Sequence, residues 1–171
     1  MNDFLSQPQT SSSASDVVAT GTQKGKGWFY TDTVKEHFFH PMNFLDDEEE
    51  FRASHPEAAV GMVGSPACGD AMKVWLVADK ESERIRIFKW KTFGCASAIA
   101  STSMLSLIVT ERQGRTLEEA RKIRPQDIME RLGGLPARKV HCSVLGDKAL
   151  RAAINDWYRR IGRCEMIEVE Q

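Results

Sequence analysis

The chain has 171 residues, 42% of them apolar and 27% charged, enough for one core in one domain of ordinary surface polarity. A formal net charge of −1 gives no bulk attraction to nucleic acid or to an anionic membrane. No apolar run approaches the roughly 18 residues of a bilayer-crossing helix, so no membrane span is expected.

Met1 to Gly27 carries Ser6, Ser11, Ser12, Ser13 and Ser15, scattered Gly and Gln, and no helical or strand period. It cannot bury enough apolar surface to offset ordering its backbone, so residues 1–27 are expected to be a disordered tail. The basic start and apolar centre of a secretory signal are missing. With no Arg and two Asp, the stretch does not have the composition of a mitochondrial transit peptide either, and the cytoplasm is the expected compartment.

Trp28 to Phe39 predicts a short helix, with Val34, Phe38 and Phe39 available to a core and Pro41 forbidding its continuation. The run Asp46-Asp47-Glu48-Glu49-Glu50 reads as a solvated acidic loop or helix start, because clustered like charges prefer water. Met72 to Asp79 alternates as a strand, with Met72, Val74, Leu76 and Ala78 on one face. After the polar turn Lys80-Glu81-Ser82-Glu83, Arg84 to Lys91 predicts a second, antiparallel strand. In it, Phe88 and Trp90 shift the apolar side set by Ile85 and Ile87, which calls for a bulge or two-sided burial.

Ala96 to Glu111 is helical, with a stripe of Ala98, Ile99, Thr102, Leu105, Ile108 and Val109. Its many Ala and Ser residues point to close helix packing. Thr116-Leu117-Glu118-Glu119 has capping-box spacing, Pro125 opens another short helix, and Gly133-Gly134 ends it. Ser143 is placed to cap a last helix with the stripe Leu150, Ala153, Ile154, Trp157 and Ile161. Helix, strands, then helices make the class α+β. The domain is expected over residues 28–162, with a second tail over 163–171.

The chemistry gathers at three cysteines: Ala67-Cys68-Gly69-Asp70, Phe93-Gly94-Cys95-Ala96 and Lys139-Val140-His141-Cys142. Cys95 stands just before a helix, where backbone N–H groups and the helix dipole favour negative charge on sulfur, and Gly94 leaves room for something bulky to approach. Cys142 stands likewise at a helix start. Lys139 is a neighbouring cation, and His141 can ligate a metal or move a proton. Asp70 would point the same way as Cys68 if the backbone between them is extended.

Each of these residues also has a plain structural reading. A lone cysteine is usually a small buried hydrophobe, Asp70 could be a turn residue, and His141 a satisfied structural histidine. The cysteines are too widely spaced for a compact disulfide scaffold, and no Cys-x-x-Cys zinc pair is present. Together they offer three thiolates, one carboxylate and one imidazole, one thiolate short of the usual iron–sulfur cage. Cys164 stands apart without partners and is set aside.

Three segments carry a resemblance: Val63-Gly64-Ser65-Pro66-Ala67-Cys68-Gly69-Asp70, Lys91-Thr92-Phe93-Gly94-Cys95-Ala96-Ser97-Ala98, and Gly134-Leu135-Pro136-Ala137-Arg138-Lys139-Val140-His141-Cys142-Ser143. They resemble, in order and with suitable gaps, the signature segments of the IscU/NifU iron–sulfur cluster scaffolds. Val34 to Asn43 resembles the family's first helix. The last segment and the Ser143-Val144-Leu145-Gly146 that follows are more similar to NifU than to IscU, and NifU proteins continue into further domains.

The resemblance implies a three-stranded antiparallel sheet packed against several helices. It implies a site of Cys68, Asp70, Cys95, His141 and Cys142 on which a labile [2Fe–2S] cluster is built from iron and from persulfide sulfur. It also implies a cysteine desulfurase of the NifS/IscS type as sulfur donor, and apo iron–sulfur proteins as recipients. Cys142 would be the first sulfur acceptor, Lys139 an aid to its thiolate, and Asp70 the tuner of cluster release. Zinc could occupy the site in purified protein through Asp70, Cys95, His141 and Cys142. The protein would be a carrier and not an enzyme, as monomer or homodimer. The rival is a zinc-dependent sulfurtransferase of the SufU kind. The family's chaperone-binding loop commonly reads Leu-Pro-Pro-Val-Lys, whereas this chain has Leu135-Pro136-Ala137-Arg138-Lys139. Leu135, Pro136 and Lys139 are retained while Ala137 and Arg138 depart, and an Hsp70-type chaperone stays an open candidate partner.

Overall fold

The computed structural model describes residues 30–65, 69–136 and 141–163; the side chains of Ser65, His141, Cys142 and Ser143 lie outside that description. The first helix, α1 (Asp32–Phe39), starts because Thr31 Oγ1 accepts the Val34 N–H at 3.2 Å. Within the described residues it therefore begins after Thr31, later than the predicted Trp28, which lies outside them. The acidic run is a helix start: the Asp47 carboxylate accepts the Glu50 N–H at 2.9 Å and Glu48, Glu49 and Glu50 fill the first turn of α2 (Glu48–Ser54).

Three strands follow, β1 (Ala59–Ser65), β2 (Asp70–Ala78) and β3 (Ile85–Phe93), in the order β1-β2-β3 and antiparallel throughout. Ala59, Gly61 and Val63 oppose Leu76, Val74 and Met72. Phe88 and Trp90 oppose Leu76 and Val74, and a register shift lies between Val77 and Ala78. The expected bulge and two-sided burial both occur, since Ile85, Phe88 and Trp90 enter the main core while Ile87 packs on the opposite face.

The main core lies between one sheet face and the helices α3 (Ala96–Thr110), α4 (Leu117–Ala120), α5 (Pro125–Arg131) and α6 (His141–Arg160), with Val34 of α1. The other face carries a smaller cluster of Leu45, Phe51, Ala58 and Trp75. α4 has the predicted capping box on Thr116 and Glu119, and Pro125 opens α5.

Three expectations need correction. Phe39 is 60% exposed, because α1 turns Val34 and His37 inward instead. α3 is buried nearly all round, beyond the predicted stripe, since α1, α6 and β3 all pack on it. Its hydroxyls meet that burial by bonding back to its own carbonyls, Thr102 Oγ1 to Ala98 O at 2.8 Å and Thr110 Oγ1 to Ser106 O at 2.7 Å. Finally, α6 begins at His141, so Ser143 is its third residue and not its cap.

Two contacts set where the helices lie. A Cβ on Gly61 would stand 2.1 Å from Ala149 O and 2.5 Å from Ala153 N, so α6 rests with backbone against β1. Buried His37 Nδ1 lies 2.7 Å from Ser103 Oγ, which also accepts the Met42 N–H at 2.8 Å, tying α1 and the chain after it to α3. Met42 O in turn accepts from Trp90 Nε1 at 2.8 Å and Ser106 Oγ at 3.0 Å.

Gly61→Ala should lower the free energy of unfolding by about 3 kcal/mol, the upper end of the usual cost of overpacking, because both obstructing atoms are backbone. A loss under about 0.5 kcal/mol by urea titration would contradict the close approach. Burial, with a smaller contribution from Arg131 and against Glu36, holds the His37 pKa below its ordinary 6.5. A depressed folded-state pKa means that the neutral ring's contribution is complete above about pH 6.5 and is lost as pH falls through that value toward the folded pKa. Asp147 works in the opposite sense, since burial raises its pKa despite Arg151. The difference between wild type and His37→Gln therefore isolates His37: its stability advantage should shrink from pH 7.5 to pH 5. An advantage independent of pH would contradict the assignment.

Candidate functional site

Three chain segments meet at one end of the sheet. Gly69 has φ +71°, a left-handed conformation that glycine adopts without strain, and from it the chain enters β2 at Asp70. Asp70 opposes Ser65, and the next residue, Ala71, opposes Phe93, so the turn Gly94-Cys95 lies beside Asp70 across the strand ends. Asp70 shares the core-facing side of β2 with Met72 and Val74 and is 6% exposed.

Its carboxyl lies against Gly94. A Cβ there would stand 3.1 Å from Asp70 Cγ, 3.2 Å from Oδ1 and 3.0 Å from the Ala98 Cβ. The missing side chain of Gly94 thus makes room for the protein's own carboxylate, a use that the sequence reading assigned to an approaching ligand. Cys95 follows at once, half-buried, as the N-cap of α3 with φ −76° and ψ 170°. It makes no side-chain cap hydrogen bond to the helix, and it is not part of a disulfide. Ser97 bonds to the Tyr30 hydroxyl at 3.0 Å in the first turn of α3.

The backbone of α6 completes the arrangement. A Cβ on Gly146 would stand 3.1 Å from Leu105 Cδ2 and 3.9 Å from both Met72 Sδ and Thr102 Oγ1. Further along, Ala149 and Ala153 meet Gly61, whose β2 partner is Val74. α6 therefore runs alongside β2 in the same direction, and its first turn, with His141 and Cys142, lies toward the end where Asp70 opens β2. Two helix N-termini and a buried carboxylate thus share one pole of the domain.

Of the sequence-predicted residues, Asp70 lies against Gly94, the neighbour of Cys95 at the start of α3, and His141 and Cys142 are the first two residues of α6. Cys68 and Lys139 lie outside the described residues, as does Cys164. Among the described residues no three His, Cys, Asp or Glu side chains gather as a metal cage. One feature escaped the sequence reading. Phe93, next to Gly94, is 84% exposed, which the alternation placing Thr92 and Trp90 inward could have shown. No helix among the described residues is long and apolar enough to cross a membrane.

Residues 29–164 match the family described as NifU-like N terminal domain. The chain is 45% identical over 132 residues to the "Nitrogen fixation protein NifU" of Trichormus azollae, covering 76% of this chain and 42% of that protein. It is 40% identical over 141 residues to the "Iron-sulfur cluster assembly scaffold protein IscU 1" of Archaeoglobus fulgidus, covering 81% and 83%. The crystal structure of an N-terminal NifU-like protein from Brucella abortus shares the fold, with a TM-score of 0.50, 18% identity and coverage of 75% and 94%. The chain spans less than half the length of the NifU relative and most of the IscU one. With its three cysteine segments, its sheet order and this match over most of its length, the chain belongs to the NifU-like N-terminal domain family.

Proposed function

We propose that this chain is a scaffold on which a labile [2Fe–2S] cluster is assembled and from which it is passed to apo-proteins. The observation that carries the reading is the Asp70 carboxyl, buried beside the Gly94-Cys95 turn at the N-terminus of α3. A hard oxygen donor next to a soft thiolate suits a site that must bind iron and then release it, where four thiolates would retain it. Relatives named as iron–sulfur cluster assembly scaffold proteins support it.

In this account Cys68, Cys95 and Cys142 are sulfur acceptors and cluster ligands, and Asp70 and His141 compete for the fourth place. A thiolate, Cys142 first, attacks the terminal sulfur of a cysteine desulfurase persulfide, and the desulfurase thiolate leaves. Lys139 steadies the attacking anion. Two electrons from an outside reductant then convert that sulfur to sulfide as iron joins it. The cluster is cargo, so the protein is a carrier and not an enzyme. Zinc is expected at Asp70, Cys95, His141 and Cys142 when iron is withheld. The working domain is residues 28–162, with tails on either side, and its place is the cytoplasm.

The test is anaerobic incubation of zinc-free protein with a cysteine desulfurase, cysteine, ferrous iron and a thiol reductant. Wild type should develop visible cluster absorption, Cys95→Ser should not, and Asp70→Ala should hold its cluster about tenfold longer, the effect of roughly 1.4 kcal/mol on the release barrier. Faster loss from Asp70→Ala than from wild type would overturn the release role. Sulfur transfer without any cluster would favour a SufU-type sulfurtransferase over a scaffold.

A further inference from the structure

The opposite end of α3 holds a second, unrelated concentration of charge. A cavity of about 390 Å³ opens there between the start of β3 and the turn joining α3 to α4, walled by Arg84, Glu111, Arg112, Gln113, Arg115 and Glu119. α3 is 15 residues long, which puts this cavity roughly 20 Å from Cys95 along the helix.

Its backbone is pinned on every side. Ile85 N–H donates to Arg115 O at 2.8 Å, Leu117 N–H to Glu83 O at 2.9 Å and Arg115 N–H to Val109 O at 2.9 Å. A Cβ on Gly114 would stand 2.1 Å from Ile85 O, so the turn is pressed onto the strand. Arg112 itself sits at φ +62°, a conformation that non-glycine residues seldom adopt.

The carboxylates of the wall are already committed. Glu111 gives one oxygen to Arg115 at 3.2 Å and the other to Arg131 at 2.8 Å. Glu119 accepts the Thr116 N–H at 2.9 Å in the capping box. The guanidiniums are not matched in the same way. Arg115 is engaged, bonding Ile108 O at 3.0 Å as a cation at a helix C-terminus should. Arg84 gives Nη1 to Gly114 O at 2.8 Å and lies near enough to Glu119 to help hold its pKa down, while Arg112 is exposed with no ion pair or hydrogen bond among the described residues. No apolar or aromatic side chain lines the cavity.

We propose that this cavity binds a small phosphoryl anion, held between the guanidiniums of Arg84 and Arg112. Forked N–H donors match phosphate oxygens in pairs, the rigid turn holds them ready, and the excess positive charge draws the anion in. With no aromatic wall to stack a base, the recognised group is the phosphoryl itself, whether free or carried on a nucleotide. The site is independent of the cluster reading.

The test is a two-dimensional amide NMR titration of the full chain with inorganic pyrophosphate, and separately with ADP. Saturable shifts should centre on Arg84, Arg112 and Gly114, with similar affinity for both probes. Arg112→Gln should weaken binding about tenfold, the loss of a charge-assisted bond. Arg112→Lys should fall between, and Lys89→Gln, which removes one charge on the outer sheet face, should leave binding unchanged. Absence of saturation, unchanged affinity in Arg112→Gln, equal weakening by Lys89→Gln, or a preference for ADP of tenfold or more would each overturn the proposal.

Discussion

The close approach of α6 to β1 at Gly61 is the contact from which the functional pole follows. Side chains on both elements would hold helix and strand near the usual 10 Å layer spacing, but here the Ala149 carbonyl and the Ala153 amide face a residue with no Cβ. The same economy recurs at Gly146, where α6 meets Leu105, Met72 and Thr102. Fixed at two heights, the helix cannot slide or tilt, and its N-terminal turn is delivered to the end where β2 begins and α3 starts. Small residues on one helix face thus decide where His141 and Cys142 are.

That pole combines requirements that ordinarily conflict. A carboxylate on the core face of a strand loses hydration, and such a group persists where polar or positive neighbours replace the water. The positive dipole end of α3 starts beside it, and Gly94 gives the carboxyl its space. The thiol at the N-cap shares the same field. The proposed function gives this juxtaposition of a buried acid and a half-buried cysteine its use, as two unlike ligands for a cluster that is held and then released.

Much of this was legible in the chain itself. The strand alternation of Met72 to Ala78, the capping box at Thr116 and the helix after Cys95 all follow from periodicity and end signals, and the three cysteine segments identified the family. What periodicity missed has physical causes. β1 was not read from its own residues, because Gly61 and Gly64 interrupt its apolar pattern and the reason for Gly61 is a helix nearly ninety residues away. Phe39 was assigned inward on hydrophobicity, yet the rotation of α1 is set by His37 bonding to Ser103. Gly94 was read as a gap for a ligand, since nothing local shows that Asp70 fills it. The arginine-walled cavity was invisible, because Arg84 and Arg112 come to one cavity only where the start of β3 pairs with the turn after α3.

The central claim is that the cluster is cargo, and its transfer tests that most directly. Zinc-free protein loaded anaerobically with a cluster is mixed with an apo-ferredoxin, and visible circular dichroism follows where the cluster resides. The account predicts that the signal moves to the acceptor within minutes to hours while the scaffold keeps its far-ultraviolet spectrum. A cluster that stays put with acceptor in excess, or a protein that unfolds when it gives the cluster up, would contradict it.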